Sequence, residues 1–217
     1  MGVKAAPTFF GLRLSRGWVL GGIVVIVLLA AIAADTTVVR IGSEEDTREQ
    51  AFDPDLFGQR EFPRIRDFVV ERAPEAAELV QLLEDDRDAA IDTYGTAAGA
   101  FPVMVVRLTG VVGEGRSGVF NIDVDGLPDE VGIRVQTGPA INGTELRDVV
   151  GDIEFGAFTN QIEYQDAGSG INRAMAAEAL EGLDREALPG ATISVTGAFT
   201  MINPSNWLVT PVVLEVQ

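Results

Sequence analysis

The chain has 217 residues and carries 33 acidic against 16 basic side chains, with no cysteine and no histidine. Disulfides, thiol nucleophiles, ordinary zinc ligands and every Ser–His or Cys–His catalytic pair are thereby excluded, and Lys4 is the only lysine. Charge is unevenly placed: residues 1–34 hold Lys4, Arg13 and Arg16 and no acid, while the remainder carries a formal −20, 13 arginines against 33 acids. A body so acidic repels a phosphate backbone, so no nucleic-acid partner is expected.

In chain order, the first feature is GWVLGGIVVIVLLAAIAA, Gly17 to Ala34, which contains no charge. As a helix it would be about 27 Å long, close to the hydrocarbon thickness of a bilayer. Basic residues before it predict a cytoplasmic N-terminus over 1–16 and a transmembrane anchor over 17–34, with everything after Asp35 extracytoplasmic. The expected product is a single-pass protein of the cell membrane that meets the membrane through this helix. Ala31-Ile32-Ala33 also fits a signal-peptidase site, so cleavage stands as the alternative to a retained anchor. A lipoprotein needs a cysteine at this junction, and none is present.

Residues 35–61 read as an acidic linker, SEEDTREQ at its centre. Val38, Val39 and Ile41 either extend the anchor or form a short strand, and Asp53-Pro54 and Phe62-Pro63 are turn signals. Residues 62–99 read as a small helical segment. Ile65, Phe68 and Val69 recur at helical spacing, and Pro74 opens a second helix. Ala76, Leu79, Val80, Leu82 and Leu83 form its apolar stripe, Asp88 to Thr93 continue it, and Gly95 to Gly99 end it. Its acidic face is a solvated one, with no chemistry assigned.

From residue 100 to 217 the period changes. VMVVRLTGVVGEG, RSGVFNIDVDG, EVGIRVQTG, ATISVTGAFTMIN and WLVTPVVLEV are β-rich runs bounded by glycine turns, with a helical insertion at about 144–184 between the third and fourth. The fold class is therefore α+β, and the order is that of an OB-like five-stranded β-barrel. An open antiparallel sheet with helices on one face is the runner-up. FNIDVDGLPDE offers Asp123, Asp125, Asp129 and Glu130 to calcium, but Leu127 and Pro128 interrupt the alternation of ligands that an EF-hand loop needs. Asp125-Gly126 between alternating strands reads as a hairpin, and neither a metal nor a cofactor is expected.

The insertion contains the candidate site. In GPAINGTELRD, Asn142-Gly143 is a tight turn and Thr144 a cap for a short helix from Glu145 to Val150. Arg147 and Asp148 point out from that helix, and Thr159, Asn160 and Gln161 follow between Phe158 and Ile162. Gly143, Thr144, Arg147, Asp148, Thr159, Asn160 and Gln161 are the candidate binding residues: helix N–H groups, a guanidinium and amides suit a carboxylate, a phosphate or sugar hydroxyls. By sequence chemistry alone the structural reading is the favoured one, with Arg147, Asn160 and Gln161 pairing with irregular backbone and Asp148 pairing with neighbours of Arg147 or with Arg173. Asp148 with Asp152 or Glu154 is the carboxylate pair a glycan hydrolase would need. A further helix runs from Ile171 to Leu183.

GP-x-I-x-GT-x-LRD, then F-x-x-FTNQIE, a helix closing on Leu183-Asp184, TGAF and the final TPVVLEV resemble, in that order, a bacterial family. It is a domain-of-unknown-function family of predicted periplasmic lipoproteins, often encoded beside sugar ABC-transporter genes. The resemblance runs from about Phe101 to the C-terminus and implies an OB-like barrel with an added helical subdomain. It brings no established activity, so no catalytic residue carries over. The reading is a non-enzymatic, membrane-anchored extracytoplasmic binding or accessory module, with ABC-transporter components or a small solute as partners. The alternatives are a carboxylate-based hydrolase of an envelope glycan and a purely structural envelope protein.

Overall fold

The computed structural model describes residues 16–35 and 51–217. The basic tail through residue 15 and most of the acidic linker, with Val38, Val39 and Ile41, lie outside the described residues. Chain contacts divide the protein into two units, Met1–Ala51 and Phe52–Gln217.

In the first unit, α1 runs Arg16–Asp35. Its side chains are described over residues 21–32, where Ile23 to Leu29 are apolar and more than half exposed. Among the described residues no helix is long and apolar enough to cross a membrane. The spanning anchor expected over 17–34 is therefore not found among the described residues.

The second unit opens on α2 (Pro54–Arg72), earlier than the turn signals suggested. Asp53 is its N-cap, accepting from the N–H groups of Asp55 (3.0 Å) and Leu56 (3.1 Å), and Pro54 occupies the first turn, where a missing N–H is harmless. Pro63 sits inside α2 and does not end it. An interior proline costs about 3 kcal/mol, but Gly58, Phe62, Ile65 and Val69 form a buried stripe that outweighs it, and Pro63 itself is exposed. Next come α3 (Ala76–Asp85) and α4 (Arg87–Tyr94), a separate helix and not a continuation, because extended Asp86 ends one and caps the other through the Ala89 N–H.

Six strands follow, one more than expected: β1 (Gly95–Thr96), β2 (Val103–Arg116), β3 (Val119–Asp123), β4 (Gly132–Gln136), β5 (Thr192–Thr200) and β6 (Asn206–Val216). They form one sheet in the order β1-β2-β3-β4-β6-β5, and β5 pairs again with β2, so the circuit of pairing among the five longer strands closes. All neighbours are antiparallel except β4 and β6. The β2–β3 turn places Ser117 (φ 55°) and Gly118 (φ 77°) both left-handed, which matches the twist of a two-residue hairpin. The β3–β4 connection is longer than an Asp-Gly turn: Ile122 pairs with Ile133, and two turns, with Leu127 bonded to Val124 and Val131 to Pro128, fill the gap. Among the described residues no group of three carboxylates gathers as a metal site.

Strand periodicity sorts the core into two parts. Met104, Val106, Leu108, Phe120, Ile133, Val135 and the stacked pair Phe199 and Trp207 (4.7 Å between centroids) fill the space inside the sheet circuit. Alternate residues of the same strands, Val103, Val105, Ala198 and Val212, face outward onto Phe62, Ile65, Leu146, Ile171 and Met175. That outer layer is α2, the short α5 (Glu145–Asp148) and α6 (Gln161–Ala179), so the insertion between β4 and β5 packs on the back of the sheet. α6 begins ten residues before the helix expected from Ile171. Helices α2 and α6 cross backbone to backbone: a Cβ on Gly58 would lie 2.1 Å from the Gly170 carbonyl oxygen, and one on Gly170 1.8 Å from that of Pro54.

Candidate functional site

The polar stretch after β4 is held from within. Gln136, fully buried at the end of β4, donates to the Asn142 carbonyl (2.9 Å) and to the Thr210 hydroxyl (2.8 Å) and accepts from the Asn142 N–H (3.1 Å). Gly143 lies in the left-handed region (φ 105°) and its carbonyl accepts from the buried Asn172 side chain at 3.0 Å. Sequence reasoning missed Gln136 and Asn172; a polar residue closing an alternating strand beside Val135, and one on the buried face of a helix, were the available signals.

Leu146 and Val149, both buried, press α5 onto the outer core and turn Arg147 and Asp148 toward α6. Arg147 is only 7 % exposed. Its Nε and Nη2 donate to the two carboxylate oxygens of Asp148 (2.7 and 3.1 Å), and Nη1 donates to the Tyr164 carbonyl (3.0 Å). The guanidinium lies over the Tyr164 ring, 3.6 Å from its centroid. Thr144 makes no cap bond; its hydroxyl donates to Asp148 at 2.6 Å. Asp148 thus pairs with Arg147 itself, while Arg173 pairs with Asp55 of α2 (2.6 Å).

The three polar residues after Phe158 do something else. Asn160 caps α6, accepting from the N–H groups of Ile162 (2.9 Å) and Glu163 (3.0 Å). The Thr159 N–H donates to the Glu163 carboxylate at 2.9 Å, and Gln161 is exposed on the first turn. These are helix-start contacts, so the expected packing of Asn160 and Gln161 as buried amides beside Arg147 is corrected: α6 begins ahead of where periodicity put it, and its free N–H groups claim the asparagine.

Arg147 and Asp148 line an open cleft of about 480 Å³ with Glu154, Phe155, Tyr164 and the Ala97–Gly99 segment that follows β1. Asn160 and Gln161 do not line it. The cleft's far wall is fixed by the Thr96 hydroxyl, which donates to the Val149 carbonyl (2.5 Å). Phe155, 52 % exposed, meets the Tyr164 ring edge-on at 5.7 Å. A guanidinium has five N–H donors. Three of Arg147's are used, so two have no acceptor among the described residues although the group is buried.

Of the carboxylates considered as a hydrolytic pair, Asp148 and Glu154 share the cleft, whereas Asp152 is held outside it in a two-pronged bond from Arg64 (2.9 and 3.0 Å). Glu145, also on α5, has no cationic partner among the described residues. Burial, reinforced by the Asp148 charge, holds its carboxyl above the ordinary value despite a bond from its own backbone N–H and a long one from the Thr200 hydroxyl (3.4 Å).

No curated protein matches the chain. Among solved structures it is similar to an OB-fold protein of Thermotoga maritima, at 17% identity and a TM-score of 0.61, over 77% of this chain and all of that one. At that identity the likeness carries the fold alone. A family model described as predicted periplasmic lipoprotein, a domain of unknown function (DUF2291), matches residues 23–215. With nearly the whole chain covered, the protein belongs to this DUF2291 family of predicted periplasmic lipoproteins.

Proposed function

We propose that this chain is a non-enzymatic, extracytoplasmic binding module that holds a small solute in the cleft beside α5 and serves solute uptake through a membrane transporter. One observation carries the reading: a guanidinium 7 % exposed, lining an open cleft, keeps two N–H groups without a protein acceptor. Buried donors are almost always paired, so two unpaired N–H groups on a residue that lines a cleft make a place for an acceptor from outside. The hydrolase reading is less favoured, because Asp152 is committed to Arg64 and both oxygens of Asp148 are occupied by Arg147 and Thr144.

Attachment to the membrane is proposed through the apolar N-terminal segment itself. This sequence has no cysteine to carry a thioether lipid, and the side chains from Ile23 to Leu29 are apolar and more than half exposed. A surface of that kind is stable only when something apolar covers it.

The test is thermal melting of the full chain in mild detergent against a panel of small solutes, with Ala97→Trp as the blocked comparison. Ala97 is exposed at the cleft wall, so a large ring there fills the space without disturbing the core. A bound solute raises the melting temperature by mass action, and the rise is expected to vanish in Ala97→Trp. Stabilisation that persists undiminished in that variant would place the ligand elsewhere and overturn the proposal.

A further inference from the structure

Sequence chemistry alone leaves carboxylate, phosphate and sugar hydroxyls equally open as ligands for this region. The cleft separates them, through the charge that its own residues leave uncompensated. Arg147 is the one cation among the residues lining it, and Asp148 answers that charge at 2.7 and 3.1 Å through both carboxylate oxygens. Glu154 lines the same space, so the lining carries one more negative than positive charge, inside a body that is itself strongly acidic. An anionic ligand would find donors here but no net positive charge, and would meet the Glu154 carboxylate at close range.

A cation is disfavoured for the opposite reason. The two unpaired N–H groups of Arg147 need lone pairs, which an ammonium or guanidinium ligand lacks. What remains is an uncharged molecule offering acceptor oxygens to Arg147 and hydroxyl donors to the carboxylates. Phe155 adds the third element: half exposed, it presents an apolar ring toward the cleft, suited to the C–H face of a saturated ring. The space of about 480 Å³ is in the range of small-molecule sites.

Resting on the cleft being the ligand site, we infer that its ligand is a neutral polyhydroxylated ring, an uncharged sugar or cyclitol. Its ring oxygens and hydroxyls accept from the two free Arg147 N–H groups, other hydroxyls donate to Glu154, and its apolar face lies on Phe155.

The experiment is calorimetric titration of the full chain in mild detergent with matched sets of solutes. The neutral arm holds aldopentoses, aldohexoses and cyclitols; the anionic arm a hexose 6-phosphate and a hexuronate; the cationic arm a hexosamine. At least one neutral member is expected to bind saturably, with its anionic and cationic counterparts about tenfold weaker or more. Phe155→Ala is expected to weaken that binding about tenfold with little change in the melting temperature of the unliganded chain, since the ring is half exposed. Arg147→Lys is expected to abolish it. A charged member that binds more tightly than its neutral counterpart, and is lost in Ala97→Trp, overturns the ligand class while leaving the cleft as the site. Binding by no member that is sensitive to Ala97→Trp overturns the ligand class and the cleft together.

Discussion

Arg147→Ala is the perturbation with the most structure behind it. The wild-type guanidinium makes three hydrogen bonds, two of them to a carboxylate, and its side chain is 8 % exposed against 17 % for Asp148. Removing it leaves Asp148 with the Thr144 hydroxyl as its one remaining donor and uncovers one face of Tyr164. Stripping one partner from a buried pair costs about 3–5 kcal/mol. Asp148 borders an open cleft that water enters, which favours the lower end, about 3 kcal/mol. In a chain of this size that corresponds to a fall of roughly 6–12 °C in melting temperature. The assay is thermal melting of the full chain in detergent, run as a double-mutant cycle with Asp148→Ala. Because the two side chains share their bonds, the double variant is expected to lose clearly less than the sum of the singles. A loss below about 1 kcal/mol for Arg147→Ala, or strict additivity with Asp148→Ala, would refute the reasoning that this ion pair fixes the guanidinium whose bond to the Tyr164 carbonyl joins α5 to α6.

Asn160→Ala removes a helix cap and nothing from the cleft, so it should cost about 1 kcal/mol and leave solute binding unchanged; a loss of binding would contradict that assignment. Two neighbouring glycines of α6 should part company in melting experiments. Gly170→Ala drives a methyl into the Pro54 carbonyl and should destabilise by about 1–3 kcal/mol, whereas Gly168→Ala finds its nearest neighbour at 3.6 Å and should gain up to about 1 kcal/mol of helix propensity. Equal effects at the two positions would argue against the close crossing of α2 and α6. Glu145 has its folded pKa raised by burial, so its contribution is fully present below the unfolded carboxyl pKa and is lost as pH rises through the folded one. Glu145→Gln should therefore flatten the decline in stability on the alkaline side of the carboxyl range, and an unaltered pH–stability curve would count against a buried carboxyl there.

The strand succession was legible in the sequence because inward and outward positions alternate: Met104, Val106 and Leu108 face one core, Val103 and Val105 the other. Two-residue β1 has no periodicity to read, and the helix starts were obscured by prolines. Asp53-Pro54 and Phe62-Pro63 look like turns, yet one is a cap with its first-turn proline and the other lies inside a helix whose buried stripe overrides it. The candidate site was half legible. Arg147 and Asp148 stood out by composition, but adjacent residues on a helix do not ordinarily face each other, so their pairing was hidden. Tyr164 reaches the cleft because α6 packs against α5, a contact across 17 residues that no local pattern announces, and Phe155 reaches it from the short turn before α6. Asn160 was legible as a polar residue with an unmet partner; which partner depended on where α6 begins.

The central claim is that the Arg147 guanidinium receives a ligand in the cleft. Its most direct test is the arginine side-chain NMR spectrum of nitrogen-labelled full chain, titrated with the solute that stabilises it most. The Arg147 resonances are identified by their loss in Arg147→Lys. The account predicts that Nε–H and Nη–H signals of Arg147 shift saturably with added solute, in step with the rise in melting temperature. Signals from Arg147 that stay fixed while the solute still stabilises the fold would contradict it.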